Sequence, residues 1–105
     1  MSLSNYQKAV DKWIKQYPEG YWPPLEILAR LTEETGEVAR LINHLYGHKK
    51  KKAIESEQEL AEELADIIWA VVCMANSHDI NLDEAFKKVI DKAYSRDDNR
   101  FSKKS

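Results

Sequence analysis

Two short acidic segments, Glu33-Glu34-Thr35-Gly36-Glu37 and Glu62-Glu63-Leu64-Ala65-Asp66, hold the residues whose types and spacing could do chemistry. Glu34 and Glu37 are three positions apart, and so are Glu63 and Asp66. On a helix such a pair points to one side, about 60° apart. Neither pair belongs to a plainly polar face. Glu34 falls in line with Ile27, Leu31, Val38 and Leu41, and Glu63 sits between Leu60 and Ile67 at the edge of a second apolar stripe. An uncompensated carboxylate in such a place costs several kcal/mol or takes up a proton. If the two helices pack antiparallel, four carboxylates meet. Like charges at that range cannot all stay ionised without a cation. A hard divalent ion with oxygen ligands answers this, Mg²⁺ first and Mn²⁺ as a substitute. The competing reading is two solvated Glu-rich faces with i,i+4 ion pairs; the position of both pairs within apolar stripes weighs against it. Gly36 costs its helix about 1 kcal/mol against alanine. Close backbone approach, a ligand or helix packing would each account for it.

The elements that must carry these residues follow from periodicity and punctuation. Ser4 can cap a first helix running to about Tyr17, with Tyr6, Ala9, Val10, Trp13 and Ile14 at helical spacing. Pro18-Glu19-Gly20 stops it. Pro23-Pro24 opens a second helix, because proline suits a first turn. That helix carries Leu25, Leu28, Leu31, Val38, Leu41, Ile42 and Leu45 and ends before Gly47. A loop over residues 47–55 holds Lys49, Lys50, Lys51 and Lys52. Ser56 with Glu59 is a capping-box pattern for a third helix. Its second half is apolar on every side, Trp69 and Cys73 included, which predicts a central position or a subunit interface. Asn81 with Glu84 starts a fourth helix over about residues 82–96, and a polar tail follows. No segment alternates with period two. The expectation is an all-α, four-helix antiparallel bundle, one domain over residues 1–105.

Composition fits that expectation. The 105 residues are 43% apolar and 32% charged, as in a globular chain. A net charge of −2 does not advertise nucleic acid or an anionic membrane as partner. Cys73, the single cysteine, excludes an intrachain disulfide and suits a reducing cytoplasm. The N-terminus lacks the apolar stretch of a signal peptide. The longest apolar run, nine residues over 67–75, is too short to span a bilayer.

The ordered pair Glu-Glu-x-x-Glu (33, 34, 37) and, after twenty-five residues, Glu-x-x-Asp (63, 66) resembles the signature of the MazG-like nucleoside triphosphate pyrophosphohydrolases, within the all-α NTP pyrophosphatase superfamily. The likeness runs over about residues 25–96 and includes Ala75-Asn76 and Ile80-Asn81-Leu82. The stretch from Gly20-Tyr21-Trp22-Pro23-Pro24-Leu25 to Gly47 is similar to small single-domain bacterial members. The resemblance implies Glu34, Glu37, Glu63 and Asp66 as metal ligands. It implies Glu33 as a supporting carboxylate, and Lys92 and Arg96 as a basic pair that meets the triphosphate, with Arg100 competing for the second role. It also implies a homodimer or homotetramer. The reaction it implies is Mg²⁺-assisted attack of water at the α-phosphate, releasing pyrophosphate, with Glu33 or Glu37 taking the water proton. A lysine of the basic loop, Lys49 or Lys52 among them, is a mobile helper for the phosphates. Tyr21, Trp22 and Trp13 are possible base platforms, although Trp13 reads first as core and Trp69 as core or interface. Asn76 contacts substrate or caps, and Asn81 caps.

Other chemistries fit less well. A di-iron bundle needs Glu-x-x-His pairs, and no glutamate here has histidine three residues later. His44 and His48 straddle Gly47 without an evident third zinc ligand. Cys73 has no neighbouring histidine and lies in an apolar run. The remaining alternatives are a non-catalytic nucleotide-sensing or interaction module on the same scaffold, and a phosphoribosyl-ATP pyrophosphohydrolase.

Overall fold

The computed structural model describes residues 2–47, 53–96 and 100–104, with residues 53–57 described by backbone only. Four helices follow one another: α1 (Leu3–Ile14), α2 (Pro24–Tyr46), α3 (Ala53–Ser77) and α4 (Leu82–Arg96). The described residues contain no strand. The all-α, four-helix architecture is the one expected.

Local chemistry sets the boundaries. Ser2, rather than Ser4, caps α1: its Oγ accepts the Asn5 N–H at 3.1 Å. Ser4 instead donates its hydroxyl to Asn81 Oδ1 at 3.3 Å. The helix ends at Ile14, three residues before the expected stop, and tight turns carry the chain to Gly20 at φ 65°. Pro24 stands in the first turn of α2, and Gly47 closes the helix with its N–H on the Asn43 carbonyl. The backbone of α3 is helical from Ala53, so the expected start at Ser56 falls inside the helix. Asn81 Oδ1 accepts the Glu84 N–H at 3.2 Å and caps α4.

The long α2–α3 pair is the main packing unit, α1 lies against α3, and α4 meets α1. The core is small: Val10, Ile27, Val72 and Cys73, with Ile14, Tyr21, Met74 and Leu82 packed around it. A polar clamp ties α1 to the α3–α4 turn. Gln7, buried, donates to Asn76 Oδ1 at 2.9 Å and to the Ile80 carbonyl at 2.7 Å, and its Oε1 accepts the Leu82 N–H at 2.9 Å. Asp83 accepts the Leu3 and Ser4 N–H groups at 3.1 and 3.2 Å, a carboxylate from α4 placed on the positive end of α1. No residue of α4 is buried. The radius of gyration is 17.3 Å, against about 13 Å for a compact chain of this length.

Candidate active site

Antiparallel pairing of α2 and α3 brings acidic segments from both helices together. Carboxylate oxygens of Glu34, Glu63 and Asp66 lie within 4.8 Å of one another. Glu34 is buried at 8% exposure; Glu63 and Asp66 are half-buried. Glu37, the fourth ligand implied by the resemblance, is not in this group. It pairs instead with Arg40 Nη2 at 2.6 Å. Glu33 points away on the exposed side of α2.

The electrostatics of the trio are unbalanced. Arg30, one turn before Glu34, donates its Nε to Glu34 Oε1 at 2.7 Å. Glu63 Oε2 is buried and faces no donor. With both carboxylates ionised, Glu34 and Glu63 are two acceptors, so only a proton on one of them can make a hydrogen bond between them. Sharing that proton with Glu34, together with burial and the charges of Glu34, Asp66 and Glu37, pushes Glu63 up to about 7. The Glu63 contact and the Arg30 guanidinium hold Glu34 below the usual carboxylate range. Three oxygens this close, one orphaned and one dependent on a shared proton, fit a hard divalent cation.

Beside the trio lies a cavity of about 700 Å³, a volume in the range of small-molecule sites. Trp13, Tyr17, Tyr21, Trp22 and Trp69 supply its aromatic wall, and Arg30 and Asp66 border it toward the carboxylates. Trp13 and Trp69 meet edge to face, with centroids 5.5 Å apart and planes at 76°. Both were expected in the core or, for Trp69, an interface. Within the single chain they are 47% and 41% exposed and line the cavity, so neither is core; Trp13 takes the platform position also expected of it, and the exposed face of Trp69 is open to a partner. The apolar character of these helix faces serves a pocket, which periodicity alone cannot tell from a core. Tyr21 donates its hydroxyl to Asp11 at 2.6 Å and accepts from Asn76 Nδ2 at 2.9 Å. Burial and the Asp11 carboxylate raise the phenol to about 12, so the tyrosine stays neutral and offers its ring.

The other expected residues are less central. Asn76 spends its side chain inside the protein, accepting from Gln7 and donating to the Gln7 carbonyl and the Tyr21 hydroxyl. Lys92 and Arg96 are exposed on the last turns of α4 and neither lines the cavity nor joins the trio. Lys49 and Lys52 lie outside the described residues. A Cβ built on Gly36 meets nothing within 4 Å, so no neighbour among the described residues requires that glycine. Arg30 was missed in the sequence. Its signal was there: a cation four residues before a carboxylate that lies on an apolar stripe.

Comparison with known proteins gives the family. The model of the MazG nucleotide pyrophosphohydrolase domain matches residues 23–101. Bacillus subtilis YpjD is 47% identical over 103 residues, covering 98% of this chain and 93% of that protein. YvdC from the same organism is 29% identical over 87 residues, 73% of this chain and 82% of that one. The crystal structure of YpjD superposes with a TM-score of 0.79 at 48% identity, covering 88% of this chain and 94% of that one. A Bacillus-conserved MazG protein, described as a nucleotide pyrophosphohydrolase, gives 0.78 at 42% identity, covering 92% and 94%. The carboxylates from two helices, the four-helix order and these matches agree: the chain belongs to the MazG nucleotide pyrophosphohydrolase family.

Proposed function

We propose that this chain is a Mg²⁺-dependent nucleoside triphosphate pyrophosphohydrolase in which water attacks the α-phosphate to give a nucleoside monophosphate and pyrophosphate. The observation that carries this reading is the Glu34–Glu63–Asp66 trio with its orphaned Glu63 oxygen, set against an aromatic pocket. Those three residues would hold Mg²⁺, with Mn²⁺ as a substitute, and Glu37 would join once Arg40 releases it. When bound, the ion supplies charge neutralisation at the phosphate and acidifies water.

The chain's own groups do the rest. Trp13, Tyr21, Trp22 and Trp69 stack the base, and the closed hydrogen-bond circuit behind Tyr21 keeps that wall rigid. Glu33 or Glu37 takes the proton from the attacking water. Lys92 and Arg96 steady pyrophosphate, for which α4 of a second copy must reach the site. The enzyme therefore works as a homodimer or homotetramer. It acts on the free nucleotide pool of the cytoplasm and needs neither a nucleic acid polymer nor a membrane. Among the described residues, no helix is long and apolar enough to cross one.

A panel of ribo- and deoxyribonucleoside triphosphates with Mg²⁺, scored for pyrophosphate, tests the proposal. Activity should need the metal. Glu63→Gln should lower it by about 100-fold or more while the helical circular dichroism is kept, since a first ligand outweighs the 10–100-fold typical of its supports. Release of single phosphates in place of pyrophosphate overturns the reaction type.

A further inference from the structure

Arg30 stands where the two halves of the site join. It borders the aromatic cavity, and within the described residues it is the one basic side chain that does so. Its Nε is committed to Glu34 at 2.7 Å. The two Nη groups have no acceptor among the described residues, and the side chain is 44% exposed. A guanidinium carries five N–H donors in a fixed fork. Holding one carboxylate through Nε therefore leaves the Nη pair free for a second anion. Across the trio, Arg40 is placed differently: its Nε and Nη2 both go to Glu37 at 3.2 and 2.6 Å, and it does not line the cavity.

We propose that Arg30 is a substrate-binding residue whose Nη groups grip the phosphate next to the nucleoside while its Nε keeps Glu34 in place. This rests on the reading above, in which the base enters the aromatic pocket and the cation sits at the trio. A nucleotide so placed has its first phosphate at the rim that Arg30 and Asp66 share. Two N–H groups on a planar fork match two phosphate oxygens, which a lysine cannot reproduce. The arginine also offsets carboxylate repulsion of the incoming polyanion at the one point where phosphate and Asp66 come close.

Tryptophan quenching, with Trp13 and Trp69 as reporters, separates the two claims. Nucleoside and nucleoside monophosphate are titrated in Mg²⁺, where neither is turned over. Quenching by the nucleoside, lost in Trp69→Ala, establishes the pocket; if neither ligand quenches, the pocket reading falls and this proposal with it. Given binding, the monophosphate should lose about 10- to 100-fold in affinity in Arg30→Gln, the scale of charged hydrogen bonds, with the nucleoside unchanged. Arg30→Lys should recover only part of the loss. Mn²⁺ binding, followed by electron paramagnetic resonance, should persist in Arg30→Gln. Equal weakening of nucleoside and monophosphate, or an unchanged monophosphate, overturns the assignment and leaves Arg30 as a strut for Glu34.

Discussion

At Glu63 a proton and the proposed cation would compete for one place. The folded chain holds a proton on the Glu34–Glu63 pair up to about pH 7, where an ordinary glutamate has long lost it. For Glu63 the folded value is raised, so its contribution to stability is full below the ordinary value near 4.5 and is lost as pH rises through about 7. Glu34, held low by Glu63 and Arg30, works in the opposite sense: its contribution is present above 4.5 and is lost as pH falls through its lowered value. A divalent ion held as proposed by the trio would take the place of the shared proton. The rise in Tm given by Mg²⁺ should accordingly be small at pH 6 and larger at pH 8, and differential scanning fluorimetry at the two pH values reads it. An equal rise at both would mean that the ion binds elsewhere.

Among the helices, what was legible in the sequence was whatever had a single physical cause. Pro24 and Gly47 bound α2 because one cannot continue a helix backward and the other does not continue it forward. The acidic pairs stood out because carboxylates on apolar stripes need a reason. The same signal is present at Gln7, a polar side chain three positions before Val10 and seven before Ile14 on the apolar stripe of α1. Hidden were the features that depend on which element lies opposite: Ser4 drawn from the α1 cap to Asn81, and the Trp13–Trp69 pocket wall. The Glu37–Arg40 pair, three apart on α2, was open to the same spacing argument as Arg30–Glu34. Gln7→Ala leaves the Leu82 N–H, the Ile80 carbonyl and Asn76 Oδ1 without their partner. We expect a loss of about 2 kcal/mol, a Tm lower by on the order of 10 °C. An unchanged melt would show that the clamp is replaced by water at no cost. Gly36→Ala meets no clash among the described residues and should raise stability by about 0.5–1 kcal/mol. If kcat/KM falls while Tm rises, the bare backbone at Gly36 is kept for substrate or for a second subunit. If both rise, the glycine has no such use.

At the scale of the whole molecule, the single chain is open. Its accessible surface is 8690 Å², against about 6,100 Å² for a compact monomer of 12.2 kDa. The excess is on the scale of surface that obligate partners bury. The apolar part of it is ordered: Leu64, Ile68 and Val71 form one exposed stripe on α3, while Phe86, Val89, Ile90 and Tyr94 form another on α4. Both have the i, i+3, i+4 spacing of a helix face that expects a neighbour. Ile68 gives the sharpest test, because it is 54% exposed within the chain. In a monomer, Ile68→Asp touches no core and should change stability by less than about 0.5 kcal/mol. In an assembly it puts a charge into the seam. We expect light scattering to show a dimer or tetramer for the native chain, with a Tm that rises with protein concentration. Ile68→Asp should run as a monomer with a concentration-independent Tm. It should also lose most activity although Glu34, Glu63 and Asp66 all lie on one chain, because α4 of the partner no longer brings Lys92 and Arg96 to the phosphates. A monomeric native protein, or an Ile68→Asp monomer with full activity, would leave the site complete within a single chain and remove the basic pair from it.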